Sequence, residues 1–276
     1  MSLTVPLDPE VLHENRRILI ALPWYKSANP LTSFSLLAMM DRRRMAVSLG
    51  FGDAFIAHSR NKLASNFLST DFEWLGMVDD DMVLPIGDAK WFNSHTGLNL
   101  PDKFAGLHTF DRLLSHGKTL VGATYFGRWR AGHPVFDGGK EMETHLRKRG
   151  PVDEVRPVRW VGTGCVLIHR SVFLDIEKTF PFLSREANGG QGQWFTSSEH
   201  DLYWAAEKII ERNANQTVDE ILRELEAAKL KAKRHSVLGT GEDVQMCIRA
   251  TQAGHQPHVD LGLWCGHVGG CVYPIR

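Results

Sequence analysis

The chain has no apolar run long enough to cross a bilayer as a helix, so nothing in it reads as a membrane span. It has no net charge either. Lys and Arg number 32 and Asp and Glu number 32, so no global field announces nucleic acid or an anionic membrane as partner. Cysteine is sparse: Cys165, Cys247, Cys265 and Cys271, with no Cys-x-x-Cys pair. A reduced, cytoplasmic setting fits that pattern best. Cys265, His267 and Cys271 crowd together downstream of His255 and His258, but their spacing matches no standard zinc pattern. Residues 1–17 lack a basic stretch followed by an apolar one, so no secretory leader is expected. There is no internal repeat. What remains is a chain of 276 residues with ordinary apolar and charged content, enough for one large domain or two small ones and for a sizeable core.

One stretch organises the rest. Trp74-Leu75-Gly76-Met77-Val78 is a short apolar run, and it ends in three consecutive acids, Asp79, Asp80 and Asp81. The run reads as a strand of a sheet covered on both faces. Three acids at its carboxyl end repel one another unless something positive sits among them. Open α/β sheets bind ligands at that end of their strands. Hard divalent cations favour carboxylate oxygens and share them with phosphates. Two readings follow: a metal–phosphate site, or a solvated acidic turn.

The surrounding pattern supports a parallel α/β sheet. Residues 17–23 form an apolar run closed by Pro23, and 45–49 form a second. Helical stretches are expected over 31–41 and over 53–69, the latter with Phe55, Ile56, Leu63, Ala64 and Phe67 as its apolar stripe. The order β-α-β-α-β predicts a doubly covered, mostly parallel sheet. A helix is expected from Pro101 to about His116, then a strand over 119–125. Residues 127–151, rich in Gly, Arg and Lys, read as a long loop. Its basic residues and Trp129 would suit an anionic acceptor, or simply solvent. Residues 155–168 read as strand, Gly162-Thr163-Gly164 turn and strand, with a helix from Ser171. Trp24, Trp160 and Trp194 are candidates for stacking on rings or for the core. Residues 184–238 read as an insertion, a Gly-rich loop followed by a helix over 217–235. That helix opens on a Thr217–Glu220 capping box and is a candidate oligomerisation face.

A second acidic centre, Gly241-Glu242-Asp243, opens another helix. Thr240 and Asp243 fit a capping box, and acids suit a helix N-terminus electrostatically. Alternatively one carboxylate faces a cleft and accepts a proton from a hydroxyl. Further on, His267 lies between Gly266 and Val268-Gly269, where it can add an imidazole to a carboxylate-held metal.

Taken in order, these pieces resemble the GT-A superfamily of nucleotide-sugar-dependent glycosyltransferases, in particular the broad group like family 2. The motifs are the strand ending near Pro23, Ser59-Arg60-Asn61 opening a helix, and Val78-Asp79-Asp80-Asp81, similar to a DxD motif. They continue with the segment 161–168 on the acceptor side, Gly241-Glu242-Asp243, and Gly266-His267-Val268-Gly269. The resemblance covers roughly 17–270 and implies one GT-A-like domain over 1–276. It implies Mn²⁺ or Mg²⁺ held by Asp81 and His267, with Asp79 shared between the metal and the ribose or nucleotide side. Arg60, Asn61, Asp80 and Pro23 would lie along the nucleotide sugar, Arg60 as a phosphate partner. Asp243, with Glu242 beside it, would be the base of an inverting transfer to an acceptor hydroxyl on a glycan, a small molecule or a modified nucleic acid. No Gln-x-x-Arg-Trp segment is present, which weighs against a processive synthase. Two rivals stand beside this: a Mg²⁺-dependent nucleotidyltransferase on a similar sheet, and a non-catalytic nucleotide- or carbohydrate-binding module.

Overall fold

The structure, a computed structural model, describes residues 18–25, 29–41, 44–85, 109–127, 133–149, 151–197, 209, 217–235, 241–268 and 272–273. The centre is a seven-stranded sheet. Its strands are β1 (Ile18–Trp24), β2 (Met45–Phe51), β3 (Trp74–Val78), β5 (Leu120–Thr124), β6 (Val155–Pro157), β7 (Cys165–His169) and β8 (His258–Trp264). Their order is β2-β1-β3-β7-β5-β8-β6. Strands β1, β2, β3, β5 and β8 point one way, while β7 and β6 are antiparallel to their neighbours. The mixed, mostly parallel α/β sheet expected from the sequence is therefore the fold.

Alternation along the strands builds two cores. On β1, Leu19 and Ala21 join one apolar cluster with Leu63, Phe67 and Phe173, while Ile18, Ile20 and Leu22 join another with Leu36, Met39 and Phe110. On β7, Val166 and Ile168 face the first cluster, and Cys165 and Leu167 the second. Both faces are covered, which is why these strands read as continuous apolar runs.

Helices α1 (Pro30–Met39) and α2 (Ile56–Leu68) make the parallel crossovers. Pro30 suits the first helical position of α1, and the Asn29 side chain accepts the Leu31 N–H at 2.9 Å. On α2 the buried stripe differs from the expected one. Phe55 and Ile56 are exposed, and the stripe runs Arg60, Leu63, Ala64, Phe67, with a charge at its amino end. Beyond it come α3 (Thr109–Ser115), α4 (Gly139–Arg149), α5 (Arg170–Thr179), α6 (Val218–His235) and α7 (Glu242–Gln252). The start of the helix expected from Pro101 lies outside the described residues.

Helix α4 corrects the reading of 127–151 as a loop. Met142 and Leu146, one turn apart, pack on the core, and that pair outweighs the local glycine content. The Gly-rich segment after residue 184 also carries core: Trp194 and Phe195 are fully buried. One half of the capping box of α6 forms, with the Glu220 carboxylate accepting from the Thr217 N–H at 2.9 Å and from its hydroxyl at 2.8 Å, while the Glu220 N–H donates to the Thr217 carbonyl. Val218 and Leu222 on that helix are exposed. Cys165, Cys247 and Cys265 are buried free thiols, and Cys271 lies outside the described residues. Among the described residues no helix is long and apolar enough to cross a membrane.

A small second sheet was not foreseen. Strand β4 (Met82–Val83) pairs antiparallel with β9 (Gly266–Val268), which pairs with β10 (Val272–Tyr273). It sits where the chain leaves β3, at the same edge as the carboxyl ends of β1, β5 and β8.

Candidate active site

Three segments meet at that edge. Asp79 follows β3 directly, and its N–H continues the ladder by donating to the Gly164 carbonyl at 3.0 Å. The acidic turn is held further by the Asp80 carbonyl, which accepts the Asn29 N–H at 3.1 Å, and by the Asp81 carbonyl, which accepts the Val268 N–H at 2.7 Å. Strand β4 sets Met82 opposite His267. That register brings His267 Nε2 to 3.4 Å from Asp81 Oδ1.

The orientation of His267 is fixed from behind. Its Nδ1 lies 2.8 Å from the Phe126 carbonyl oxygen, which can only accept, so Nδ1 carries the proton. In the neutral ring Nε2 then turns its lone pair toward the Asp81 carboxylate. Two such groups face each other comfortably only with a cation, a proton or a metal ion, between them. Tyr125 packs edge-on against the same imidazole, with ring centroids 5.7 Å apart. Its hydroxyl accepts the Gly164 N–H at 2.9 Å. Gly162 and Gly164 are needed here: a β-carbon at either would come within 2.1 or 2.8 Å of the Tyr125 side chain. Burial, then the Asp79 and Asp243 carboxylates, push the Tyr125 phenol well above its usual range, so it stays a neutral hydroxyl.

The second acidic centre arrives on α7. Its N-cap is Gly241, with no side-chain cap, so Asp243 is the second helical residue and not the capping-box partner expected of Thr240, which lies outside the described residues. Asp243 Oδ1 accepts the Val244 N–H at 2.8 Å. Burial, then the adjacent Glu242 carboxylate, push the Asp243 carboxyl above its usual range, against the pull of Arg60 and the Val244 amide.

Arg60 joins the two centres. Its Nη2 donates to both oxygens of Asp79, at 2.7 and 3.0 Å, and its Nη1 donates to Glu242 Oε1 at 2.5 Å. The residue is only 4% exposed. The positive group among the acids is thus a side chain from α2, and its fork is committed to carboxylates.

The other sequence candidates fall as follows. Asn61 is 1% exposed and closes its amide on Phe195, accepting that N–H at 2.8 Å and donating to that carbonyl at 3.1 Å. It holds the Trp194 segment against α2. Pro23 lies opposite Gly50 in the last-but-one position of β1, next to Trp24, whose ring stacks on Phe51 at 5.0 Å. Asp81 and His267 are adjacent, whereas Asp79 faces Arg60. Among the described residues no group of three or more His, Cys, Asp or Glu side chains stands assembled to hold a metal. One carboxylate and one oriented imidazole do fit a divalent ion whose other ligands are phosphate oxygens. Sequence reasoning missed Tyr125, the Phe126 carbonyl and the Gly164 carbonyl. The available signal was the Gly162-Thr163-Gly164 spacing, read from the sequence as a turn; in the structure it makes room for the Tyr125 side chain.

No family model matches the chain, and no curated protein does. Among solved structures, A197 from STIV is similar in chain path, with a TM-score of 0.46 and 14% identity over 92% of this chain and 86% of that one. A likeness of that size bears on neither activity nor ligand.

Proposed function

We propose that the chain is a metal-dependent glycosyltransferase that moves one sugar from a nucleotide-diphosphate sugar to an acceptor hydroxyl, with inversion. The observation that supports this most is the Asp81–His267 pair, a carboxylate oxygen and an oriented imidazole nitrogen 3.4 Å apart that gain by sharing a cation. Mn²⁺ or Mg²⁺ would be held there and, with the donor phosphates, would offset the charge of the departing diphosphate. Asp79, with Arg60 on both its oxygens, would serve the ribose side of the donor, and Pro23 and Asp80 would border it.

Asp243 would receive the acceptor hydroxyl. Its carboxylate takes the hydroxyl proton as that oxygen bonds to the anomeric carbon. The electron pair of the broken carbon–oxygen bond leaves on the diphosphate. A carboxyl held above its usual range is a better proton acceptor than an exposed aspartate.

The test is a thermal-shift series with nucleoside diphosphates and their sugar conjugates, each with Mn²⁺ and with EDTA. A ligand that binds the native state alone raises Tm. The expected result is a metal-dependent rise with one nucleotide family that is lost in Asp81→Asn. No rise with any nucleotide sinks the proposal. Release of pyrophosphate in place of nucleoside diphosphate would identify a nucleotidyltransferase, and binding without turnover a binding module.

A further inference from the structure

Arg60 has a second consequence beyond charge balance. It is rooted in the most firmly packed part of the molecule: one and two turns along α2, Leu63, Ala64 and Phe67 are buried in the core. Its guanidinium reaches across 182 residues of sequence to Glu242 and across 19 to Asp79. Glu242 is the first residue of α7, and Asp243 is the second. The later part of α7 is held by packing, through Met246, Cys247 and Ala250. Its first turn has no side-chain cap and ends on Gly241. The Glu242–Arg60 bridge ties that turn to the end of β3.

We propose that Arg60 is a positioning residue: it fastens the helix bearing Asp243 to the end of the acidic strand, and so sets the spacing between the base and the donor. This rests on Asp243 acting as the base. In this role Arg60 acts through Asp79 and Glu242, to which its two terminal nitrogens donate. The planar fork matters as much as the charge. A lysine there would keep the charge but as one compact point, without the rigid two-armed fork that meets Asp79 and Glu242 at separate nitrogens. Displacing a reacting group by about 1 Å costs roughly 100-fold in rate.

The experiment compares the parent with Arg60→Gln, Arg60→Lys and Arg60→Ala by amide hydrogen exchange and by steady-state kinetics on the full chain. In Arg60→Gln, exchange at the Gln245 to Ile248 amides is expected to speed up by roughly tenfold or more, the equivalent of one charge-assisted hydrogen bond. The core strand β5 should be unchanged. In both Arg60→Gln and Arg60→Lys, kcat falls roughly 100-fold while the donor KM barely moves. Free guanidinium at millimolar concentration restores part of the kcat of Arg60→Ala, which a merely structural loss would not allow.

Unchanged exchange at 245–248 overturns the proposal. So does a raised donor KM with kcat intact, which would make Arg60 a phosphate ligand. If Arg60→Gln does not fold, Glu242→Gln cuts the same bridge from its other end and must show the same exchange and kcat signature; parent-like behaviour there overturns the proposal too. A parent protein without turnover on any nucleotide sugar would instead sink the transferase reading, and faster exchange in Arg60→Gln would still establish the tether.

Discussion

Two clusters of acids around a buried arginine occupy this sheet, and they are balanced in opposite ways. At the first, the fully buried Asp260 accepts five hydrogen bonds: from Arg112 at 2.6 and 2.9 Å, His116 at 2.7 Å, and the Gly262 and Leu263 amides at 2.8 and 3.1 Å. These amides belong to a bulge in β8, where the register against β5 jumps from Asp260 to Trp264. Burial alone would push the Asp260 carboxyl up, but His116 and Arg112 outweigh it and hold the carboxyl below its usual range. At the second cluster, the carboxylates of Asp79, Glu242 and Asp243 share one guanidinium, and Asp243 is left above its usual range. A saturated acid shapes backbone. An undersaturated one is held ready for a proton or a cation, and pKa perturbation of this kind marks functional sites.

The contrast breaks most visibly at Asp260. Asp260→Ala leaves Arg112 buried without its main partner and should cost about 3–5 kcal/mol, a large part of a domain's stability. Urea unfolding measures it. The depressed carboxyl stabilises above its unfolded pKa and loses that contribution as pH falls through its folded pKa, so the cost should shrink in acid.

Asp243→Asn should do the reverse. Its kcat should drop by roughly 10²–10⁴-fold, the usual contribution of a general base. Yet the protein should become more stable at neutral pH. The native state holds the Asp243 proton more tightly than the unfolded chain does, so stability declines as pH rises through the raised pKa, and asparagine removes that penalty. The difference should vanish below about pH 4, where the unfolded carboxyl is protonated as well. Unfolding curves at both pH values, beside kcat, check both halves. A variant less stable than the parent at pH 7 would place Asp243 with the structural acids.

The smallest effect sharpens the comparison from the backbone side. Gly162→Ala drives a β-carbon to 2.1 Å from the Tyr125 hydroxyl oxygen. Overpacking of this kind costs about 1–3 kcal/mol. Because Tyr125 also packs on His267, Mn²⁺ affinity should fall with it, whereas an equivalent clash at Gly122, against Val161, should lower stability alone.

Much of this was legible in the sequence, where the signal was local. The strand runs before Pro23 and Asp79, the Leu63, Ala64 and Phe67 part of the α2 stripe and the Thr217–Glu220 start of α6 all follow from short-range patterns. The acids and His267 were legible as residue types. Their partners were not, because antiparallel pairing of two- and three-residue strands such as β4 and β9 leaves no period to read. Arg60 is the instructive case. It sits three and four residues before Leu63 and Ala64, which places it on the buried face of α2. A charge on a buried stripe needs a counter-charge, and the sequence contains two acidic centres that can supply it. A phosphate was the expected partner; within the chain, Asp79 and Glu242 are the groups its terminal nitrogens meet. Helix α4 was missed because its glycine-rich surroundings masked one apolar pair.

The span between Arg60 and Glu242 also has a kinetic meaning. The loop-closure cost of a contact spanning 182 residues favours its assembly after the sheet between them has formed. Interactions absent from the folding transition state govern how fast the native protein comes apart, not how fast it forms. Damage to the acidic edge should therefore leave refolding rates nearly untouched and appear as a shorter lifetime of the folded chain.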